Sequence, residues 1–275
     1  MLEAANGPTT VEGDRVLLGE VYLLSTRQVA TYYGTGEELH LAFNFPPLKT
    51  PWNGVQWRRQ VDTTDELITD PGHWPTWVLS NHDNPRHRSR YGGSEDRARA
   101  ALFLLLGLQG SPVLYAGEEL GLEDAVVTGD RVVDPGGRDG CRAPIPWTAA
   151  PDHGWGVTDA WLPWPPEAEV RNAESLRADE GSILHLYRRL LAHRRGAPAL
   201  QRGDFAWLDA PAGVLAWRRD FEGRRQVVVV NMSEADAMLD LAGTVAVASD
   251  GRGEGEPFTG SVLRDHAVVL DEAAA

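Results

Sequence analysis

The 275-residue chain, with 42% hydrophobic residues, can bury a sizeable core as one large domain or two smaller ones, and this composition excludes disorder and fibrous repeats. Its net charge of −14 excludes an electrostatic nucleic-acid binder, because phosphate contact needs a basic surface. Cys141 is the only cysteine, which excludes an intrachain disulfide and a cysteine zinc cluster, and no apolar run is long enough to cross a membrane.

Four short apolar runs, each followed by a helical pattern, predict strand–helix units in the first part of the chain. The predicted strands are residues 16–24, 39–45, 77–80 and 111–117. The predicted helices are residues 26–33, 53–68, 94–107 and 181–195. Ser94 has the chemistry of an N-cap, and Glu95 and Asp96 suit the positive end of the helix that follows it. Residues 123–180 are rich in Pro, Gly, Trp and Asp, and this predicts a long functional loop.

After Pro198 the pattern changes to short β-rich runs separated by turn residues. We therefore predict two domains, a partial barrel over residues 1–198 and a small antiparallel all-β domain over residues 199–275. The fold class is α/β, because four βα units are half of an eight-unit TIM barrel.

The stretch VLSNHDNPR, residues 78–86, contains the polar residues with the clearest chemical potential. In a barrel, catalytic groups lie at the carboxyl ends of strands. Glu20 lies within the first predicted strand and Asp83 follows the third, so the two carboxylates are candidates for one site. The alternative is an Asx turn that leaves a strand, with His82 satisfied locally.

Four stretches carry a resemblance to a known family: GEVYLL, VLSNHDNPR, SPVLYAGEELGL and GRDGCRAPIPW, in this order. They resemble the second half of a glycoside hydrolase family 13 enzyme, in the α-glucosidase and oligo-1,6-glucosidase branch of the α-amylase superfamily. The resemblance implies barrel strands five to eight followed by the β domain. It also implies a retaining glycosidase that cleaves a terminal α-linked glucose from maltose- or isomaltose-type sugars, without a cofactor.

The same resemblance assigns roles by position. Glu20 matches the general acid/base, and Asp83 matches the carboxylate that stabilises the transition state. His82 matches a residue that hydrogen-bonds the sugar. Arg142 is preferred over Arg138 as the arginine that reaches the non-reducing end of the sugar. Arg86 is a further substrate-binding candidate; alternatively it holds the loop in shape, as Asn81 does.

The family's nucleophile has no match, because only 19 residues precede Glu20 and none resembles a GFRxD-type motif. We expect the chain to be inactive alone and its partner to be a missing N-terminal half. Two alternatives stay open: a non-catalytic carbohydrate-binding pseudoenzyme, and a glucosyl transferase such as trehalose synthase. No signal peptide precedes Val11, which predicts a cytoplasmic protein if Met1 is the true start.

Other residues have structural and functional interpretations. The tryptophans are either core anchors, which composition favours, or aromatic walls for sugars. Glu118 and Glu119 are expected to hold the barrel mouth. Cys141 is expected to be a small buried side chain, and loop solvation is favoured over a calcium site for four loop aspartates: Asp124, Asp130, Asp134 and Asp139.

Overall fold

The computed structural model describes residues 15–35 and 38–272, and its first part contains two pairs of short parallel strands. β1 (Leu18–Gly19) pairs with β2 (Leu41–Ala42), and β3 (Thr76–Val78) pairs with β4 (Ser111–Val113). β1, β2 and β4 fall within predicted strands and are shorter than predicted, whereas β3 begins one residue before its predicted strand of residues 77–80 and ends two residues earlier. The order of strands is therefore that of consecutive βα units.

The Thr76 side chain joins the two strand pairs. The Thr76 hydroxyl donates a hydrogen bond to the Ala42 carbonyl oxygen at 2.7 Å and accepts one from the Asn44 backbone N–H at 3.1 Å. Thr76 is fully buried, so water does not compete for these bonds. This joint places the start of β3 beside β2.

Helices follow the strands as the sequence predicts, with differences at their ends. The helices are α1 (Thr26–Ala30), α2 (Gly54–Thr64), α3 (His87–Arg90), α4 (Glu95–Gly107), α5 (Ala173–Ala178), α6 (Ile183–Gly196) and α7 (Pro198–Arg202). The Ser94 side chain caps α4 by accepting from Arg97 N, as predicted. The predicted helix at 53–68 ends as α-helix at Thr64 and continues as a π-helical turn over Asp65–Thr69.

The last part of the chain forms an antiparallel sheet, as predicted. Its strands are β5 (Asp204–Trp207), β6 (Val214–Phe221), β7 (Arg224–Asn231), β9 (Thr244–Ala248) and β11 (Ala267–Glu272), in the order β5-β6-β7-β11-β9. A separate pair consists of β8 (Ala237–Met238) and β10 (Ser261–Val262). Successive side chains of β7 point to opposite faces of the sheet. Val228 and Val230 therefore belong to one hydrophobic cluster, and Val227 and Val229 belong to another.

One face of this sheet shares a core with α4 and α6. Two buried arginines reinforce the contact at the C-terminal end of α4. Arg194 donates to the Leu106 and Gly110 carbonyl oxygens at 2.5 and 3.0 Å, and Arg219 donates to the Gly107 oxygen at 3.0 Å. Cations suit the negative end of a helix, and burial lowers the pKa of Arg219 to about 9.

The domain boundary at 198/199 stays a prediction, since the core is continuous across it. Residues 123–180 are largely irregular, with two short 3₁₀ helices at Gly129–Arg131 and Asp139–Arg142 and the short α5. No helix among the described residues has the length and apolar character needed to cross a bilayer.

Candidate active site

A tight turn after β3 presents the central residues of the site. The Asn81 side-chain oxygen accepts hydrogen bonds from the Asp83 backbone N–H at 3.0 Å and from the Asn84 amide at 2.9 Å. Lys49 Nζ donates to the Asn84 side-chain oxygen at 2.7 Å. Asn81 thus shapes the loop, the role that the sequence left open for it, and the turn projects His82 and Asp83 outward.

Glu20 meets this turn from the end of β1. One side-chain donor atom each from Glu20, His82 and Asp83 lies within 4.8 Å of the other two. Glu20 and His82 are exposed, and Asp83 is partly buried. The structure therefore brings together the residues that the sequence selected from separate strands, while their chemical roles stay predictions.

Two arginines also bind Asp83. Arg138 Nη1 and Arg142 Nη2 each donate to Asp83 Oδ1 at 2.8 Å. Burial opposes ionisation of Asp83, but the hydrogen bonds from Arg142 and Arg138 outweigh it, and the pKa of Asp83 falls below its ordinary value. Asp83 is therefore a carboxylate at neutral pH, fixed in position and able to face positive charge.

The two arginines are themselves anchored differently. Arg142 Nε donates to the His82 carbonyl oxygen at 2.7 Å, so Arg142 binds both the backbone of the turn and the Asp83 side chain. Arg138 is held by Asp134, which accepts from Arg138 Nε at 2.7 Å and from Nη2 at 2.8 Å. The sequence analysis favoured Arg142 over Arg138 as the arginine that reaches the sugar. In the structure both guanidinium groups bind the same oxygen of Asp83.

Arg86 lies inside the protein rather than at the cluster surface. Its side chain is 2% exposed, its Nη1 donates to the Ala116 oxygen at 2.8 Å, and its guanidinium lies over the Tyr115 ring. Its backbone N–H donates to Asp124 Oδ1 at 2.9 Å. These contacts fit the loop-holding alternative for Arg86 and do not fit direct contact with a sugar.

A buried network behind the turn was not singled out as a unit by the sequence. His87 N donates to the Ser80 hydroxyl oxygen at 3.0 Å, and His87 Nδ1 lies 3.5 Å from Glu118 Oε1. All three residues are at most 2% exposed. Glu118 is thus an internal residue, and Glu119 accepts from Gly117 N at 2.8 Å, which ties the turn after β4.

Three of the four loop aspartates have separate partners. Asp124 accepts from Arg86 N, Asp134 binds Arg138, and Asp139 accepts from the backbone N–H groups of Val133 and Asp134. Within the described residues, the one set of donors close enough to hold a metal ion is Glu20, His82 and Asp83. Two guanidinium cations at Asp83 Oδ1 oppose a metal cation there.

A cavity of about 450 Å³ opens beside Asp83. Its lining includes Val132, Arg138, Asp139 and Cys141 from the loop after β4. The volume suits a small ligand. The Cys141 thiol is mostly buried, as predicted, and donates to the Arg138 oxygen at 3.1 Å; burial raises its pKa to about 11.

The arrangement places two carboxyl groups and an imidazole side by side, and these are groups that acid–base catalysis uses. Glu20 is an exposed carboxyl group, and Asp83 is a fixed carboxylate beside it. His82 can hydrogen-bond a hydroxyl group. Lys49 was missed as part of this site, although it stands out as the chain's single lysine among many arginines.

Residues 2–203 match the α-amylase catalytic domain. A probable α-glucosidase of Rhizobium meliloti is 32% identical over 87% of this chain and 45% of its own length. A glucan 1,6-α-glucosidase of Streptococcus pneumoniae is 27% identical over 89% of this chain and 54% of its own length.

A solved α-glucosyl transfer enzyme superposes with a TM-score of 0.85 at 31% identity, covering 99% of this chain and 54% of that chain. The chain therefore spans about half the length of the relatives it matches.

Proposed function

The chain belongs to glycoside hydrolase family 13, the α-amylase superfamily, and from this membership we propose that it carries half of the active site of a retaining α-glucosidase. The substrates are maltose- or isomaltose-type oligosaccharides, from which terminal α-linked glucose is removed. The observation that carries the proposal is the meeting of Glu20, His82 and Asp83 within 4.8 Å.

Each residue has a role that its surroundings support. Glu20 is the general acid/base: it donates a proton to the leaving oxygen and then, as a carboxylate, takes a proton from water. Asp83 stays ionised beside Arg138 and Arg142 and faces the oxocarbenium-like sugar ring. His82 and the free donors of the two arginines hydrogen-bond the hydroxyl groups of the terminal glucose.

We further propose that the nucleophilic carboxylate comes from a complementary half-barrel. Apolar residues near β1 support this: Val16, Leu18, Tyr22 and Leu24 are each at least 44% exposed. Among residues 15–35 and 38–272, β1 pairs with β2 on one side only, which leaves an edge that a further strand could use. A strand edge with exposed apolar side chains near it is a typical interaction surface.

A complementation experiment tests both parts of the proposal. The chain is mixed with a polypeptide that carries the N-terminal half of the Rhizobium meliloti relative, and hydrolysis of 4-nitrophenyl α-glucoside is followed. We expect activity only in the mixture. Glu20→Gln and Asp83→Asn should each lower it by about 100-fold or more, whereas the exposed control Glu66→Gln should leave it unchanged.

The outcomes separate the two claims. Activity of the chain alone would contradict the need for a partner. A stable complex that binds oligosaccharide without turning it over would contradict the enzymatic role and support the pseudoenzyme. A cytoplasmic location belongs to the same proposal and is tested by cell fractionation.

Glucosyl transfer is the second candidate, because the solved α-glucosyl transfer enzyme matches nearly the whole chain. Hydrolysis and transfer share the glycosyl-enzyme and differ in the acceptor that reaches it. Product analysis of the active mixture decides between them: free glucose indicates hydrolysis, and longer or isomerised glucosides indicate transfer.

A further inference from the structure

The side-chain amide of Asn84 joins three segments around the candidate active site. Its oxygen accepts from Lys49 Nζ at 2.7 Å, and the Tyr22 hydroxyl oxygen lies 3.5 Å from the same atom. Its nitrogen donates to the Asn81 side-chain oxygen at 2.9 Å. Asn84 is 1% exposed, so water competes little for these contacts. The amide therefore has a partner at each end and a defined orientation.

The contacts form a chain from Lys49 to the backbone of Asp83. The Lys49 ammonium group donates and cannot accept, so it requires the oxygen of the Asn84 amide on its side. The Asn84 nitrogen then faces Asn81 and requires the Asn81 oxygen there. That same oxygen accepts from the Asp83 backbone N–H at 3.0 Å. The donor at one end therefore sets the orientation of two amides and supports the bond that holds Asp83.

The reversed orientation of the Asn84 amide is the alternative that Lys49 disfavours. With this amide reversed, the Asn84 oxygen would face the Asn81 oxygen, and two acceptors cannot bond to each other. If Asn81 turned its amide as well, its NH₂ group would meet the Asp83 N–H, and two donors cannot bond either. In both cases the arrangement that fixes the Asp83 backbone is disturbed.

The backbone that carries Lys49 is itself fixed. The 3₁₀ turn Pro46–Lys49 begins with two prolines, and Leu48 within it is fully buried. Thr50 Oγ1 donates to the Pro46 carbonyl oxygen at 3.2 Å, which ties the residue after the turn to its start. Lys49 is exposed, but the fixed turn limits the positions that its ammonium group can take.

We propose that Lys49 is a positioning residue for Asp83 and acts through the side-chain amides of Asn84 and Asn81. What it contributes is a donor that cannot become an acceptor. Arginine has the same property, whereas methionine has a stem of similar length and no donor. The catalytic consequence of this inference rests on the proposed function, and the orientation of the two amides does not.

The first test follows the hydrogen-exchange rate of the Asp83 backbone N–H in the full ¹⁵N-labelled chain by NMR. We expect Lys49→Met to raise this rate about tenfold, the factor that corresponds to one hydrogen bond of ordinary strength. Lys49→Arg should keep the original rate. The backbone N–H of Val228, within the sheet, is the internal reference and should exchange equally in all three proteins.

Asn84→Asp tests the middle of the chain of contacts. A carboxylate at this position accepts from Lys49 but cannot donate to Asn81. We expect exchange at Asp83 to rise about as much as in Lys49→Met. Combining the two substitutions should add little, because both interrupt the same chain of hydrogen bonds.

The second test uses the active mixture of the complementation experiment. Lys49→Met should lower kcat about tenfold and change KM by less than about twofold, because displacement of Asp83 weakens contact with the transition state more than binding of the substrate. Lys49→Arg should restore kcat. This split between kcat and KM separates positioning of Asp83 from direct binding of the sugar by Lys49.

Four results would overturn the inference. They are unchanged exchange at Asp83 in Lys49→Met, equal exchange in Lys49→Met and Lys49→Arg, a parallel rise at Val228, and a raised KM at unchanged kcat. The third would indicate a general loss of stability, and the fourth direct contact with the sugar. The expected exchange rates without hydrolysis in any mixture would support the inference and contradict only the proposed function.

Discussion

Adding one methyl group at Gly107 tests how closely α4 packs on the sheet. Gly107 is the last residue of α4, and a Cβ atom there would lie 2.9 Å from Trp217 Cζ2 and 3.1 Å from both methyl carbons of Val228. Trp217 and Val228 are fully buried, so neither has room to move aside. Gly107→Ala therefore forces overpacking in the shared core.

The expected size follows from two opposing contributions. Overpacking of a dense core costs about 1–3 kcal/mol. Replacing glycine by alanine in a helix raises the free energy of unfolding by up to about 1 kcal/mol, and by less at the last position of the helix. We expect Gly107→Ala to lower the free energy of unfolding by about 1–2 kcal/mol, measured by urea denaturation at an unchanged slope.

Gly196→Ala is the matched control, because Gly196 also ends a helix, α6, and a Cβ there would meet no atom within 4 Å. It should raise the free energy of unfolding by about 0.4–1 kcal/mol. Val228→Ala in the Gly107→Ala background should recover part of the loss, giving a measurable coupling. Equal stability of Gly107→Ala and Gly196→Ala would refute the close packing described for α4.

Three further outcomes are expected. Asn53→Ala should lower the free energy of unfolding by about 1 kcal/mol, because the Asn53 side chain caps α2 by accepting from Gln56 N at 3.0 Å. Ser25→Ala is the control, since Ser25 precedes α1 without a side-chain capping bond, and it should cost less. Denaturant unfolding of the two variants measures the difference. Burial opposes ionisation of Glu95, but hydrogen bonds from Arg171 and Arg99 outweigh it and keep the pKa of Glu95 below its usual value. The ion pairs of Glu95 therefore stabilise the fold fully above the ordinary pKa of a glutamate, and this stabilisation is lost as the pH falls through the lowered pKa. The difference in unfolding free energy between the chain and Glu95→Gln should shrink at acid pH. A difference that stays constant with pH would contradict this. The Cys141 thiol, with its pKa raised to about 11, should react with iodoacetamide much more slowly in the native than in the unfolded chain at pH 8, and equal rates would contradict its burial.

The sequence predicted those parts of the fold that depend on local patterns. Ser94 with its acidic first turn marked the start of α4, and a short β-rich run marked the strand that forms β7. The meeting of Glu20 and Asp83 also followed from the sequence, because each lies in or after a predicted barrel strand and the carboxyl ends of barrel strands share one face.

Long-range side-chain contacts were not predictable in this way. No spacing in the sequence indicates that Arg138 and Arg142 share one oxygen of Asp83, since the contact depends on how a long loop folds back. The strands of the first part are also shorter than their apolar runs, partly because the Thr76 side chain replaces backbone pairing between β2 and β3. A threonine directly before an apolar run gives no sign that its side chain will take the place of backbone pairing.

The Thr76 joint makes the spacing of the two candidate catalytic carboxylates adjustable from a distance. Glu20 follows β1 in one strand pair, Asp83 follows β3 in the other, and the Thr76 hydroxyl group forms hydrogen bonds across the two pairs. A substitution at residue 76 is therefore expected to change the distance between Glu20 and Asp83 without altering either carboxyl group.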